Sequence, residues 1–125
     1  MPVRGMLDHV TVVASDFAAS ATFYDAALAP LGFSRVMDFP EAVGYGGVDG
    51  KPDFWIVAGD PVTTGVHVAF AATSRDAVSA FFDLAIASGG TTRHEPKEWP
   101  IYHEGYFGAF VNDPDGNNIE AVHHG

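Results

Sequence analysis

The sequence HVTVVASD, residues 9–16, recurs 58 positions later as HVAFAATS, residues 67–74, without a gap. The match continues downstream, where the same residue types return in the same order. The matching residues of the first copy are Ala19, Phe23, Asp25, Ala27, Ala29 and Gly32, and those of the second are Ala77, Phe81, Asp83, Ala85, Ala87 and Gly90. Repetition at a fixed interval indicates that one supersecondary unit occurs twice.

Each copy is predicted to begin with a strand and a helix. Residues 7–13 and 65–71 are rich in β-branched and aromatic side chains, which is typical of strands. Asp16 and Ser74 follow at equivalent positions, where a side-chain oxygen can cap a helix. Helical spacing predicts one buried face per helix, made of Ala19, Phe23, Ala26 and Ala27 in the first copy and of Ala77, Phe81, Leu84 and Ala85 in the second.

Three further strands are predicted in each copy, at residues 33–37, 43–47 and 53–58 and at residues 91–95, 106–112 and 117–122. The run DPDGN, residues 113–117, is a strong turn signal and joins the last two strands as a hairpin. The predicted fold is therefore α+β, with two βαβββ modules at about residues 7–58 and 65–124. A short linker keeps both modules in one domain of residues 1–125.

Composition excludes several classes of function. Six Lys and Arg against sixteen Asp and Glu give a net charge of -10, which repels nucleic acid and anionic lipid. The absence of cysteine excludes disulfides, thiolate nucleophiles and cysteine-based metal sites. The chain has neither a signal-peptide pattern nor an apolar run long enough to span a bilayer, so a cytoplasmic protein is expected.

Two histidines, His9 and His67, occupy the same place in the repeat, so paired modules would direct both into one concavity. Glu120 interrupts the apolar last strand, and a carboxylate there needs a partner. Taken singly, a strand histidine is more often a core residue, and a late glutamate is more often solvated. The equivalence of the two histidines in the repeat favours a metal site instead. In this interpretation His9, His67 and Glu120 hold one divalent metal (Fe, Mn, Zn or Ni).

Residues 94–106 concentrate polar and aromatic side chains, and their prolines and glycine predict an irregular flap over a pocket. An exposed loop with surface aromatics is the alternative. The candidate catalytic residues are Glu120, His103 and Tyr102, and the candidate substrate-binding residues are Trp55, Trp99, Tyr106 and Arg93. For the two tryptophans, packing in the core or at a dimer interface is the favoured alternative.

Three runs resemble the vicinal oxygen chelate superfamily of glyoxalases, bleomycin-resistance proteins and extradiol dioxygenases. They are LDHVTV (residues 7–12), FYDAALAPLGF (23–33) and AFVNDPDGNNIEAV (109–122). The resemblance implies a cup-shaped mixed sheet with helices on its outer face. It also implies a metal on His9, His67 and Glu120, and often a homodimer in which modules of different chains complete each site.

One departure concerns a fourth metal ligand, which glyoxalase I enzymes place in the last strand of the first module. Repeat alignment puts Ile56 opposite Glu120, and isoleucine binds no metal. The three-ligand pattern looks closer to extradiol dioxygenases, which usually have longer chains, and to fosfomycin-type thiol transferases. A fosfomycin-like anion would need cationic contacts, for which the sequence offers Arg93 and Lys97.

The expected function is a metal-dependent lyase, isomerase, transferase or dioxygenase whose small substrate is chelated through adjacent oxygens. A metal-free protein that binds a drug or other ligand, resembling bleomycin-resistance proteins, is the alternative, and the acidic charge would suit a cationic ligand. A regulatory or structural dimer with a vestigial site is a third possibility. His123 and His124 carry little weight in these assignments.

Overall fold

The structure, a computed structural model, describes residues 5–125. The first module contains β1 (Val10–Ala14), α1 (Phe17–Leu28), a 3-10 turn (Ala29–Leu31), β2 (Ser34–Phe39), β3 (Ala42–Gly46) and β4 (Phe54–Ala58). The second contains β5 (His67–Ala71), α2 (Arg75–Ala87), β6 (Thr91–Glu98), β7 (Phe107–Asn112) and β8 (Asn118–His123). The predicted α+β fold of two βαβββ modules is confirmed, with strand ends shifted by a few residues.

Each module forms one four-stranded mixed sheet. The strand orders are β1-β4-β3-β2 in the first sheet and β5-β8-β7-β6 in the second. In both sheets the first strand pairs in parallel with the last strand of its module, and the other pairs are antiparallel. Equivalent strands therefore occupy equivalent places, as the repeat predicts, and the two open sheets suit a cup-shaped arrangement.

The helices begin where the sequence predicts. Asp16 caps α1 by accepting a hydrogen bond from the Ala19 amide at 3.1 Å, and Ser74 caps α2 through the Ala77 amide at 3.0 Å. Each helix packs on one face of its sheet, and both modules contribute to a single apolar core. The rings of Phe54 and Phe70 meet edge to face within this core, with their centroids 5.0 Å apart. No helix among residues 5–125 is long and apolar enough to cross a membrane.

The predicted helix faces are wrong at two positions. Ala19 is exposed, whereas Tyr24 and Leu28 of α1 are fully buried, because α1 packs against α2 as well as against its own sheet. In α2, Leu84 is 41% exposed and Ala85 is buried. Both of these residues follow Phe81 at helical spacing, so periodicity did not distinguish them.

The DPDGN turn connects three parts of the fold. Asp113 is buried, and its Oδ1 accepts hydrogen bonds from the amides of Asp115 and Asn117, each at 2.9 Å. Its Oδ2 accepts from the Tyr24 hydroxyl of α1 at 2.6 Å and from Asn117 Nδ2 at 3.0 Å. Asn117 also donates to the carbonyl of Thr63 in the linker. The turn is confirmed, and Asp113 stabilises the fold through these contacts.

The buried tyrosines predict a loss of stability at alkaline pH. Burial raises the pKa of Tyr24 and of Tyr45 well above the ordinary value of 10.0, and hydrogen bonds to Asp113 and Asp25 raise it further. Both tyrosines stay protonated in the folded chain, while those of the unfolded chain ionise near pH 10. The free energy of unfolding should therefore be unchanged by this effect at pH 8 and fall progressively above pH 10.

Urea unfolding at pH 8, 10 and 11 measures this dependence directly. A Tyr45→Phe variant removes one of the two groups and should show a shallower decline above pH 10. A free energy of unfolding that stays constant between pH 8 and 11 would contradict the prediction.

Candidate metal and substrate site

The candidate site lies on the face of the second sheet that is turned away from α2, here called the open face. Side chains alternate along β8, so that Ile119 and Ala121 enter the core while Glu120 takes the open face. Glu120 stands opposite Ala69 of β5 and Phe110 of β7. The alternation that is visible in the sequence thus places the carboxylate away from the helix layer.

Glu120 is the best-buried acidic side chain of the open face, with 2% of it exposed. Its Oε1 lies 2.8 Å from Nε2 of His67, whose ring is about half exposed. Its Oε2 accepts a short hydrogen bond from the Tyr106 hydroxyl. A buried carboxylate requires such partners, and the structure brings together two of the three predicted metal ligands.

Tyr106 reaches Glu120 because Gly108 of β7 has no side chain. A Cβ at Gly108 would lie 3.3 Å from both Glu120 Oε2 and the Tyr106 ring. Burial and the contact with Glu120 raise the pKa of Tyr106 above its usual range, so its hydroxyl remains a donor. Sequence reasoning missed Gly108, although a glycine within a strand often marks such a close approach.

An aromatic wall stands beside Glu120 and is formed by Trp99, Tyr102, Tyr106 and Phe110. The Trp99 ring lies 5.2 Å from that of Phe110 and 6.1 Å from that of Tyr102, and Tyr102 lies 4.8 Å from Tyr106. The Trp99 indole donates to the Gly108 carbonyl at 3.0 Å. Three of these residues were predicted to contact substrate or to transfer a proton. Phe110, buried within an apolar strand, was missed because nothing in its sequence surroundings distinguishes it from core residues.

His9 is not grouped with His67 and Glu120 within the described part of one chain. Its Nδ1 is 2.7 Å from Asp8 Oδ1, and this contact, followed by the charge of Lys51, lowers the pKa of Asp8. His9 lines a cleft of about 280 Å³ between the edge strands β1 and β5, which also contains Ala69, the register partner of Glu120. Within residues 5–125 of a single chain, no three His, Asp or Glu side chains are grouped so as to hold a metal.

The sequence profile of the Glyoxalase/Bleomycin resistance protein/Dioxygenase superfamily matches residues 6–121. The chain belongs to this superfamily. A glyoxalase/bleomycin resistance protein from Albidiferax ferrireducens is 34% identical, with a TM-score of 0.85 over 95% of this chain and 99% of that one. A comparison with curated proteins finds no match.

Two more distant structures share the fold. Lactoylglutathione lyase from Agrobacterium tumefaciens is 19% identical, with a TM-score of 0.68 over 98% of this chain and 95% of that one. Oxidase ChaP-H2 is 24% identical, with a TM-score of 0.65 over 98% and 96%. Two proteins with differently named activities therefore share the fold of this chain.

Strand pairing in the first module changes which residue is equivalent to Glu120 in the repeat. Trp55, not Ile56, corresponds to Glu120, since Trp55 pairs with Thr11 of β1 as Glu120 pairs with Ala69 of β5. Ile56 is completely buried in the core. The Trp55 ring lies over Gly44, where a Cβ would approach it to 2.9 Å. Tryptophan binds no metal either, so this position still lacks the fourth ligand of glyoxalase I.

The predicted flap is shorter than expected. Residues 96–98 were predicted to be irregular, but they extend the predicted strand 91–95 and belong to β6, the edge strand of the second sheet. The β6–β7 register shifts between Thr92 and His94 and again between His94 and Lys97, and Pro96 falls at the second shift. An edge strand with such irregularities tolerates a proline that an inner strand would exclude. The segment without regular strand pairing covers residues 99–106.

His103 and Arg93 lie at opposite ends of the open face. His103 Nε2 is 2.9 Å from His124 Nδ1, and its ring touches Tyr106, which separates it from Glu120. Arg93 donates to Oδ1 of Asn112 at 2.8 Å. Among the predicted substrate-binding and proton-transfer residues, Tyr106 is therefore the one whose side chain contacts the Glu120 carboxylate.

Proposed function

We propose that this protein is a metal-dependent enzyme of the glyoxalase/dioxygenase type, acting on a small substrate that is chelated through adjacent oxygens. The observation that carries the proposal is the buried Glu120 carboxylate, which is held between the half-exposed His67 and Tyr106 on an open sheet face. Placing a carboxylate there is costly unless it meets a cation or strong donors. The alternative function as a metal-free ligand binder gives this pairing no role.

The side chains fit a divalent metal. Imidazole nitrogen and carboxylate oxygen together suit Fe, Mn, Zn or Ni, and the two donor atoms are already within 2.8 Å of each other. When bound, the metal would act as a Lewis acid on two adjacent substrate oxygens. Tyr106 would orient Glu120 by holding its second oxygen. Tyr102 and His103 remain candidates for proton transfer, and the class of reaction stays open among lyase, isomerase, transferase and dioxygenase.

The third ligand, His9, is proposed to come from a second copy of the chain. Within the described part of one chain it contacts Asp8 and is not grouped with His67 and Glu120. The first sheet also leaves apolar side chains uncovered, with Met37 44% and Phe39 52% exposed. Apolar surface of this kind favours an interface with another molecule. The active form would then be a homodimer with sites between modules of different chains.

Zinc binding tests the proposal. Chelator-treated protein should bind about one Zn²⁺ per chain and unfold at a higher temperature when Zn²⁺ is present, because a metal that binds the folded state stabilises it. His67→Ala should weaken binding at least about tenfold, through loss of a direct ligand. His94→Ala is the matched control: it removes another exposed histidine of the second sheet, whose ring packs against Trp99 and Phe110 of the aromatic wall and forms no hydrogen bond with Glu120 among the described residues. Equal zinc affinity in native protein and His67→Ala would overturn the assignment, as would native protein that binds none of the four metals.

Mixing two inactive variants tests the shared site. His9→Ala and His67→Ala should each lose zinc binding when pure. After unfolding and refolding together, random pairing should restore about one quarter of the native sites, since half the dimers are mixed and each has one intact site of two. A mixture that stays without zinc would place His9 in the same chain as its partners.

A further inference from the structure

One polar group on the open face has no partner. Asn118 lies two residues before Glu120 on the same side of β8, and its Oδ1 is buried without a hydrogen bond among the described residues. Asn118 stands opposite His67 of β5 and Asn112 of β7. A buried, unsatisfied acceptor is unfavourable in a folded protein, and a ligand that supplies a donor is one explanation for it.

Arg93 supplies a positive charge beside Asn112, which stands opposite Asn118 in the sheet. Arg35, Lys51 and Arg75 each form an ion pair with a carboxylate. Arg93 and Lys97, by contrast, have no carboxylate within ion-pair distance in the described part of the chain, although the protein contains sixteen acidic residues, and Lys97 lies over the Trp99 ring. The hydrogen bond of Arg93 goes to the neutral Asn112 side chain. The guanidinium thus keeps donors for an anion from outside the chain.

The open face therefore changes character along its length. Its polar end is formed by Arg93, Asn112 and Asn118. Its centre holds Glu120 and His67, and the aromatic wall lies beyond them on the other side. Two residues of a strand span roughly 7 Å, so Asn118 lies about one small ring away from Glu120. A molecule bound at the centre can reach both ends at once.

We infer that Arg93, with Asn112 and Asn118, forms a subsite for a carboxylate-bearing end of the substrate. This inference rests on the proposed function and deepens it: the substrate would be a small organic acid with two adjacent oxygens at the centre of the open face. Its carboxylate would pair with the guanidinium of Arg93, and one of the two adjacent hydroxyls, which keeps its proton, would donate to Asn118 Oδ1. A planar hydrophobic part would lie against the aromatic wall.

Three catechols with Zn²⁺ as the redox-inert metal test the subsite. 3,4-Dihydroxybenzoate, catechol and dopamine share the same adjacent oxygens but carry a carboxylate, no charge and an ammonium group, respectively. The net charge of -10 attracts the cationic dopamine and repels the anionic 3,4-dihydroxybenzoate. A preference for 3,4-dihydroxybenzoate must therefore come from contacts within the site. In zinc-loaded protein, 3,4-dihydroxybenzoate should bind about tenfold more tightly than catechol, as expected for a charge-assisted pair.

Arg93→Gln should remove most of that preference and leave catechol binding unchanged. Lys97→Gln removes the same charge from the same strand near Trp99, and should keep the preference. An equal ratio of dissociation constants in native protein and Arg93→Gln would overturn the subsite. Failure of the proposed metal site looks different, because then no catechol would bind in a zinc-dependent manner.

Asn118→Val separates ligand recognition from structure. Valine favours a strand and removes the unsatisfied acceptor, so this variant should unfold at the same or a higher temperature than the native protein. It should also bind 3,4-dihydroxybenzoate several-fold more weakly. A lower unfolding temperature together with unchanged binding would show that Asn118 serves the fold and would remove it from the subsite.

Discussion

Glu120→Gln is expected to abolish zinc binding while leaving the metal-free protein at least as stable as the native chain. Glutamine has nearly the same shape as glutamate but lacks the charge that attracts a cation, and a direct ligand is lost. The affinity for Zn²⁺ should fall at least about 100-fold, more than the loss of a group that merely supports a ligand. Calorimetric titration of chelator-treated protein measures this fall.

The stability of the same variant provides an independent readout. Glu120 is almost completely buried, so its ionised form loses hydration in the folded chain, and the neutral amide avoids this cost. Urea unfolding without metal should therefore give an equal or larger free energy of unfolding. Glu104→Gln, at an exposed glutamate in the nearby irregular segment, is the control and should keep native zinc affinity. Native zinc affinity in Glu120→Gln would exclude this carboxylate as a ligand.

Asp113→Ala is expected to cause the largest loss of stability, about 3 kcal/mol or more. The substitution removes an acceptor shared by four donors, and the Tyr24 hydroxyl and the Asn117 amide groups would remain buried without it. Urea unfolding near neutral pH measures the effect. The turn between β7 and β8 would lose its connection to α1 at the same time.

A matched control separates this effect from the loss of one negative charge. Asp83→Ala removes an exposed carboxylate from α2 and should change the free energy of unfolding by less than about 0.5 kcal/mol. If Asp113→Ala and Asp83→Ala lowered the free energy of unfolding by the same small amount, the Asp113 contacts would not stabilise the fold as the structure indicates.

Local signals in the sequence predicted the elements and their order. Helix caps such as Asp16 and Ser74 act over three residues, and the DPDGN turn acts over five, so their chemistry is readable without knowledge of the rest of the fold. The repeat then supplied the long-range relation between modules that local signals lack. It predicted that His9 and His67 are equivalent, and β1 and β5 do occupy equivalent edges of their sheets.

The sequence predictions were wrong where a displacement of one residue decides which side chain faces the core. Periodicity did not distinguish Leu84 from Ala85, and the repeat alignment put Ile56 where strand register puts Trp55. A shift of one residue along a strand exchanges its core side for its open side. The alignment was displaced by one residue because the segments that link the strands differ in length between the two modules. Only the pairing of β4 with its neighbouring strands identified Trp55 as the equivalent residue.

The sequence alone determined that this chain has two βαβββ modules and that Glu120 faces away from the core, because alternation and repetition are properties of residue order. Tertiary structure alone decided that Tyr106 and His67 both reach that carboxylate, that Gly108 makes room for the contact with Tyr106, and that His9 is not grouped with them in the described part of one chain. These contacts depend on the register between strands that are distant in sequence. Their geometry is set by the packing of whole sheets, which no single segment encodes.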